Sequence, residues 1–272
     1  MVKTAGYMDA GDAKLYYERA GAGEPVVFCH AGVTDSRLWA DQWPVVSQHY
    51  DMVCLDMRGF GQSDEATGPV CRRDDLHALL IQLGLERVHL VGCSLGGEIV
   101  LDYALEHPDR VLSLTLVSAV PGGFEMQGEP PAELFAMFGA MEAGDLALVS
   151  ELQTRIWVDG PYRQPEQVNA DFRQRAAAMN RGAIERNTWQ VADMQPLNPL
   201  DPPAVQRLDA IHQPVLIVVG ALDNSEILRA ADVMAQAFAH PRKVILQDCA
   251  HLPSMEQPQA FNTALLDFLN SL

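Results

Sequence analysis

Positive charge is scarce in this chain of 272 residues. Lysine and arginine number 19 against 36 aspartates and glutamates, a net charge of −17, and only Lys3, Lys14 and Lys243 are lysines. Such a surface repels a phosphate backbone, which argues against a nucleic-acid partner. Long apolar runs are also missing: nothing approaches the roughly 20 consecutive apolar residues of a membrane span, so no membrane partner is expected. The first twenty residues contain Asp9, Asp12 and Glu18, and no secretory signal peptide is expected. Cysteine is sparse. Cys29, Cys54, Cys71, Cys93 and Cys249 are odd in number and scattered, with no CxxC or metal-ligand spacing. That excludes a disulfide scaffold and a zinc finger and fits buried thiols in a reducing, cytoplasmic compartment. What the chain does have is apolar content, 48% of its residues, which is that of a folded protein. Its length suits one compact domain with room for an inserted subdomain.

Short apolar runs alternate with longer amphipathic segments, the pattern of an α/β fold with a mainly parallel sheet. Val26–Cys29, Met52–Leu55, Val88–Val91, Leu112–Val117, Val215–Val219 and Val244–Leu246 read as strands, and Lys14–Glu18 as an antiparallel edge strand. Leu76, Leu79, Leu80 and Leu83 fall on one helical face that Gly84 stops. A second helix is expected from Leu95 to His107, before Pro108, and Leu265, Leu266, Phe268 and Leu269 mark a closing one. Between 122 and 208 the rhythm breaks: helical spacing and proline-rich joints replace strand-like runs. An interval this long between two parallel strands exceeds an ordinary connection. It predicts a helical cap at 122–208, inserted into a core domain formed by 1–121 and 209–272.

The sharpest chemical signal is Gly92-Cys93-Ser94-Leu95-Gly96, a G-x-S-x-G pattern between a predicted strand and a predicted helix. A serine on such a tight turn projects its hydroxyl, and the flanking glycines let strand and helix approach. The bland alternative is a glycine-rich turn without chemistry. Serine is a weak nucleophile and needs a base that is itself oriented by a carboxylate. His251 follows the last predicted strand, at the sheet edge where ligands gather in open α/β folds. Asp223 follows the Val215–Val219 strand and completes the order Ser94, Asp223, His251. Asp248 competes, three residues before the histidine, but is expected to point away from the imidazole. The oxyanion formed on attack needs two N–H donors: the Leu95 amide is one, and Gly32, in the loop after Val26–Cys29, is expected to supply the other.

Together with Cys29–Gly32, Asp56–Ser63, Glu106–Val111 and Met255–Pro258, these residues resemble the α/β-hydrolase superfamily over nearly the whole chain. Within it the sequence is similar to small carboxylesterases and to 3-oxoadipate enol-lactonase-like proteins. Ala31 departs from the glycine usual at that position. The resemblance implies an α/β-hydrolase fold, in which the Asp56–Ser63 turn is structural. Haloalkane dehalogenases and epoxide hydrolases use an aspartate where this chain has Ser94, and prolyl aminopeptidases a tryptophan where it has Leu95. The Gly-Pro-Gly usual in hydrolases of carbon–carbon bonds is missing from His30 to Asp35, which lowers that alternative. Ser118-Ala119-Val120-Pro121 resembles a stretch found in cofactor-free perhydrolases.

The expected activity is that of a serine hydrolase cleaving small to medium esters or lactones, without metal or cofactor. A non-catalytic small-ligand receptor on the same fold is the rival from another class. Phe124, Phe135, Phe138, Met141, Trp157 and Trp189 are the expected pocket lining, since aromatic and methionine side chains suit an adaptable apolar site. Six cap arginines (Arg155, Arg163, Arg173, Arg175, Arg181 and Arg186) are read mainly as solvated helix faces, with one able to grip a substrate carboxylate as the alternative. The sequence does not set the oligomeric state.

Overall fold

A computed structural model describes residues 2–272. Its centre is an eight-stranded sheet of β1 (Thr4–Asp9), β2 (Lys14–Ala20), β3 (Pro25–Cys29), β4 (Asp51–Leu55), β5 (Val88–Cys93), β6 (Val111–Val117), β7 (Val215–Gly220) and β8 (Pro241–Leu246). The spatial order is β1-β2-β4-β3-β5-β6-β7-β8. β2 runs antiparallel to β1 and β4, and all other neighbours are parallel. Every residue of β4, β5 and β7 is buried, as continuous apolar strands covered on both faces must be.

Among the described residues nine α-helices accompany the sheet: α1 (Trp43–Val46), α2 (Arg72–Gln82), α3 (Leu95–Glu106), α4 (Ala132–Glu142), α5 (Leu146–Thr154), α6 (Ala170–Glu185), α7 (Ser225–Ala237), α8 (Pro253–Glu256) and α9 (Pro258–Leu269). One core cluster joins strand side chains such as Val27 and Leu90 to Leu76 and Leu80 of α2, Val100 of α3 and Met234 of α7. A second joins Phe28, Val91 and Val218 to Val46 of α1 and to Phe261 and Leu265 of α9. Helices therefore cover both faces. The leucine stripe predicted before Gly84 is the inner face of α2, and Gly84 follows its end at φ +67°.

One strand expectation needs correction. Lys14–Glu18 is not an edge strand: β2 lies inside the sheet, and the edge is β1. Only Met8 of β1 is buried, so backbone pairing such as Thr4 opposite Arg19 defines it, with no apolar run to betray it. The last strand is the opposite edge, and only Leu246 of its six residues is buried.

Between β6 and β7 the described residues form helices and turns and no strand. α4 and α5 share a small apolar cluster of Met137, Ala140, Val149 and Leu152. α6 ties this segment to the sheet, because Phe172, Ala176 and Met179 join the second core cluster. Among the described residues no helix is long and apolar enough to cross a membrane. All five cysteines are free, and all but Cys71 are buried.

Candidate active site

Ser94 sits between the end of β5 and the start of α3 with φ +52° and ψ −116°, a conformation non-glycine residues rarely adopt. Its neighbours explain how the turn closes. A Cβ on Gly92 would lie 2.2 Å from the Gly96 carbonyl oxygen, and one on Gly96 would lie 2.3 Å from the Cys29 carbonyl oxygen. Both glycines are therefore required sterically, one for the strand–helix contact and one for the approach of β3. Backbone bonds hold the turn: Ser94 N donates to the Val117 carbonyl at 2.8 Å, and Glu98 N to the Ser94 carbonyl at 3.0 Å. The Leu95 amide is one of the first N–H groups of α3, which have no acceptor within the helix.

His251 lies on the loop between β8 and α8, which docks against the end of β7. Ala221 N donates to the Leu246 carbonyl and Leu222 N to the Cys249 carbonyl. Gly220 permits this, since a Cβ there would fall 2.1 Å from the Ala250 carbonyl oxygen. The docking places His251 Nδ1 2.9 Å from Asp223 Oδ2, with both side chains almost fully buried. The other Asp223 oxygen accepts the Asn224 amide at 2.8 Å. A carboxylate accepts only, so Nδ1 carries the proton and Nε2 is left as the basic nitrogen. The Trp157 ring packs against the imidazole at 4.6 Å between centroids. Asp248 is exposed and lies at φ +58°, so this competitor stays away from the histidine.

Ser94, Leu95, Gly32, Val33 and His251 all line one cavity of about 580 Å³. Ser94 and His251 thus face a common space, and serine–base contacts commonly tighten only around substrate. Gly32 and Val33 line the cavity, while Ala31 is fully buried in the second core cluster. The methyl that departs from the usual glycine is thus absorbed by packing. His30 anchors this loop from below: Nδ1 donates to the Ala31 carbonyl at 2.8 Å, and Nε2 accepts the Met57 amide at 3.0 Å. Burial holds the His30 pKa below its ordinary value, in keeping with a neutral ring that uses both nitrogens. The adjoining turn is closed by Asp56, which accepts Ser36 N and Gln62 N.

Of the six side chains expected to line the pocket, Met141, Trp157 and Trp189 do so, and Phe124, Phe135 and Phe138 do not. The error is one of helical phase. Leu134, Met137 and Met141 are the α4 residues that face the cavity, spaced three and four apart, while Phe135 and Phe138 are 64% and 40% exposed, Phe138 leaning on Trp189 at 6.1 Å between ring centroids. Phe124 instead stacks under the Arg229 guanidinium at 4.1 Å. Trp157 and Trp189 each lie in a π-helical turn, a local widening that periodicity does not reveal.

None of the six arginines of this segment lines the cavity. Arg155, Arg173, Arg175 and Arg181 pair with carboxylates, and Arg186 donates to the Ser63 carbonyl. Arg163 pairs with Glu256, whose other oxygen accepts Ala250 N beside the histidine. A separate surface hollow of about 660 Å³ between α5 and α6 is lined by Arg173 and Arg181 but by none of Ser94, Asp223, His251, Gly32, Leu95 or the six expected pocket side chains.

Sequence reasoning missed Glu98. It lines the Ser94 cavity one turn into α3, and burial, reinforced by the charges of Asp102 and Asp193, pushes its carboxyl up to about 7. Burial also pushes Asp102 up to about 6, against the pull of Arg73. The available signal was three acids, Glu98, Asp102 and Glu106, each four residues apart on a largely apolar helix. Among the described residues no group of three or more His, Cys, Asp or Glu side chains is placed to hold a metal ion.

Comparison with known proteins shows the family. The family described as alpha/beta hydrolase fold matches residues 24–258. The chain is 27% identical to 2-hydroxy-6-oxo-6-phenylhexa-2,4-dienoate hydrolase of Comamonas testosteroni, over 96% of this chain and 93% of that one. It is equally 27% identical to pimeloyl-[acyl-carrier protein] methyl ester esterase of Aeromonas hydrophila, over 90% and 94%. The crystal structure of the enol-lactonase from Burkholderia xenovorans superposes with a TM-score of 0.77 at 24% identity, over 97% and 100% of the two chains.

Proposed function

The chain belongs to the alpha/beta hydrolase fold family, and on that premise we propose that it is a serine hydrolase cleaving neutral carboxylic esters or lactones of small to medium size. One observation carries the reading: a serine on a strained strand–helix turn shares a cavity with a buried histidine whose far nitrogen is held by a buried aspartate.

In this reading Ser94 attacks the substrate carbonyl while His251 Nε2 takes its proton. Asp223 holds the ring and stabilises the imidazolium. The oxyanion is received by the Leu95 amide and the Gly32 amide, each donor contributing about 3 kcal/mol of transition-state stabilisation in a site closed to water. His251 returns the proton to the leaving alcohol and then activates the water that releases the acyl group. Residues 122–208 act as the cap, supplying the apolar wall from Leu134, Met137, Met141, Trp157 and Trp189.

The dienoate hydrolase relative favours a second reading, hydrolysis of a carbon–carbon bond on the same residues. Charge in the cavity weighs against it. The ionisable lining residues are Glu98, Glu185, Asp193 and His251, with no lysine or arginine, so a dienoate carboxylate would meet like charge. The deciding experiment is a panel of p-nitrophenyl esters, lactones and vinylogous diketones assayed with the native chain and with Ser94→Ala. Ser94-dependent turnover of the esters supports the proposal. Preferential cleavage of the diketones would replace it with the second reading, and tight binding without turnover would make the protein a receptor.

A further inference from the structure

We propose that a chamber adjoining the Ser94 cavity is a second substrate subsite, which takes a neutral group able both to donate and to accept a hydrogen bond, an alcohol hydroxyl. The inference rests on the hydrolase reading above and names a part of its substrate.

The chamber has a volume of about 180 Å³ and shares Leu95, Glu98 and Asp193 with the catalytic cavity. These three residues form a common boundary between the two spaces. At roughly 30 Å³ per water, it has room for a two- or three-carbon fragment with its hydroxyl. Two of its lining side chains carry buried polar atoms without a partner: Arg72 Nη2, a donor, and Asp102 Oδ1, an acceptor. Both residues are only 8% exposed. Arg72 is fixed in place, with Nε on Asp193 at 2.7 Å and Nη1 on the Arg58 carbonyl at 3.0 Å, so the unmet Nη2 is set by the fold. Buried polar groups in native proteins are almost always satisfied, because one left alone loses its bonds to water without replacement. A donor and an acceptor both unmet in one chamber are what a bound hydroxyl would satisfy.

Gly122 marks where such a group fits. A Cβ there would lie 3.3 Å from Glu98 Oε1, and 3.8 and 4.0 Å from the two Asp102 oxygens. Both carboxyl groups thus converge on space that any other residue would fill. The lining also sets the charge of the guest. The Asp102 and Asp193 carboxylates oppose an anion, and the guanidinium groups of Arg72 and Arg73 oppose a cation. A neutral hydroxyl meets neither penalty.

The test compares esters in pairs that differ only by a terminal hydroxyl in place of a methyl, one pair altered in the acyl chain and one in the alcohol. Each pair is assayed with the native chain, Gly122→Ala and Asp102→Leu. The native protein should favour the hydroxyl member of at least one pair by about tenfold or more in kcat/KM, two charge-assisted hydrogen bonds being ample for that ratio. Both variants should bring the ratio close to one. Because each ratio is taken on one protein, a partly folded variant still reports it. A native ratio near one for both pairs, or a preference retained by both variants, overturns the subsite. If no ester is turned over in a Ser94-dependent manner, the hydrolase reading is what fails. The subsite is then tested by calorimetric binding of the same pairs to the native chain, where equal affinities would overturn it.

Discussion

His251 Nδ1 lies 2.9 Å from Asp223 Oδ2, although 28 residues separate them in the chain. Asp248, three residues from the histidine, is exposed with its backbone in the left-handed region. Closeness in sequence is thus the poorer guide to this pair: the loop after β8 folds back on the end of β7 and carries the imidazole to the aspartate there. Substituting Asp223→Asn should lower kcat by on the order of 10⁴-fold by favouring the wrong tautomer, while Asp248→Asn should stay within about twofold. Steady-state kinetics on one chromogenic ester decides the matter, and a reversal of the two effects would reassign the acid.

Ser94→Ala and His251→Ala should each reduce kcat by about 10⁴-fold or more, and the double variant should be little worse, because the residues act as a unit. Circular dichroism should show both variants folded. Near-native turnover by either would remove the mechanism.

Gly92→Ala tests the turn rather than the chemistry. Its new methyl would sit 2.2 Å from the Gly96 carbonyl oxygen, a clash with backbone that no rotamer relieves. The expected loss of stability is about 3 kcal/mol or more, read as a lower urea midpoint in equilibrium unfolding. A midpoint equal to that of the native chain would show that strand and helix separate more easily than this packing implies.

Glu98 should make stability depend on pH. Its carboxyl titrates near 7 in the folded chain, against an ordinary 4.5, chiefly because it is buried. A raised carboxyl pKa means the folded state holds the proton more tightly, so this stabilisation is complete below about 4.5 and is lost as pH rises toward 7. Glu98→Gln should therefore have a higher Tm than the native chain at pH 8, and the gap should shrink at pH 5. Thermal melts at the two pH values measure it, and a gap that does not change with pH would contradict the buried, neutral acid.

Chain length should govern substrate preference. The cavity wall from α4, α5 and the two tryptophans is mainly apolar, and a buried methylene contributes about 0.8 kcal/mol. Each added acyl carbon should raise kcat/KM roughly fourfold until the cavity is full, after which the trend should reverse. Esters ending in a free carboxylate should be poorer than neutral ones of equal length. A measured preference for the carboxylate would point to the six arginines now engaged elsewhere.

Much of the fold was legible because buried parallel strands must be continuously apolar. Val88–Val91 and Val215–Val219 could hardly be anything else, and the helix after Ser94 announced itself by its apolar face and by Pro108. One edge was not legible. β1 is largely exposed, so its place in the sheet rests on backbone hydrogen bonds, which any residue except proline can make, whereas the far edge showed itself in the apolar run Val244–Leu246.

At the site, the types and order of Ser94, Asp223 and His251 were readable because a serine turn needs glycines at fixed offsets and because loops after strands share one edge of the sheet. Composition and local pattern thus determined the α/β class, the serine turn and the scarcity of positive charge. Only the tertiary structure decided which α4 side chains face the cavity, since a helix apolar on two sides has no phase until it packs. It also decided that the arginines are held elsewhere and that Glu98 and Asp102 converge on Gly122. Each of these depends on what a distant segment places opposite a side chain, and burial and electrostatic coupling arise only once those segments meet.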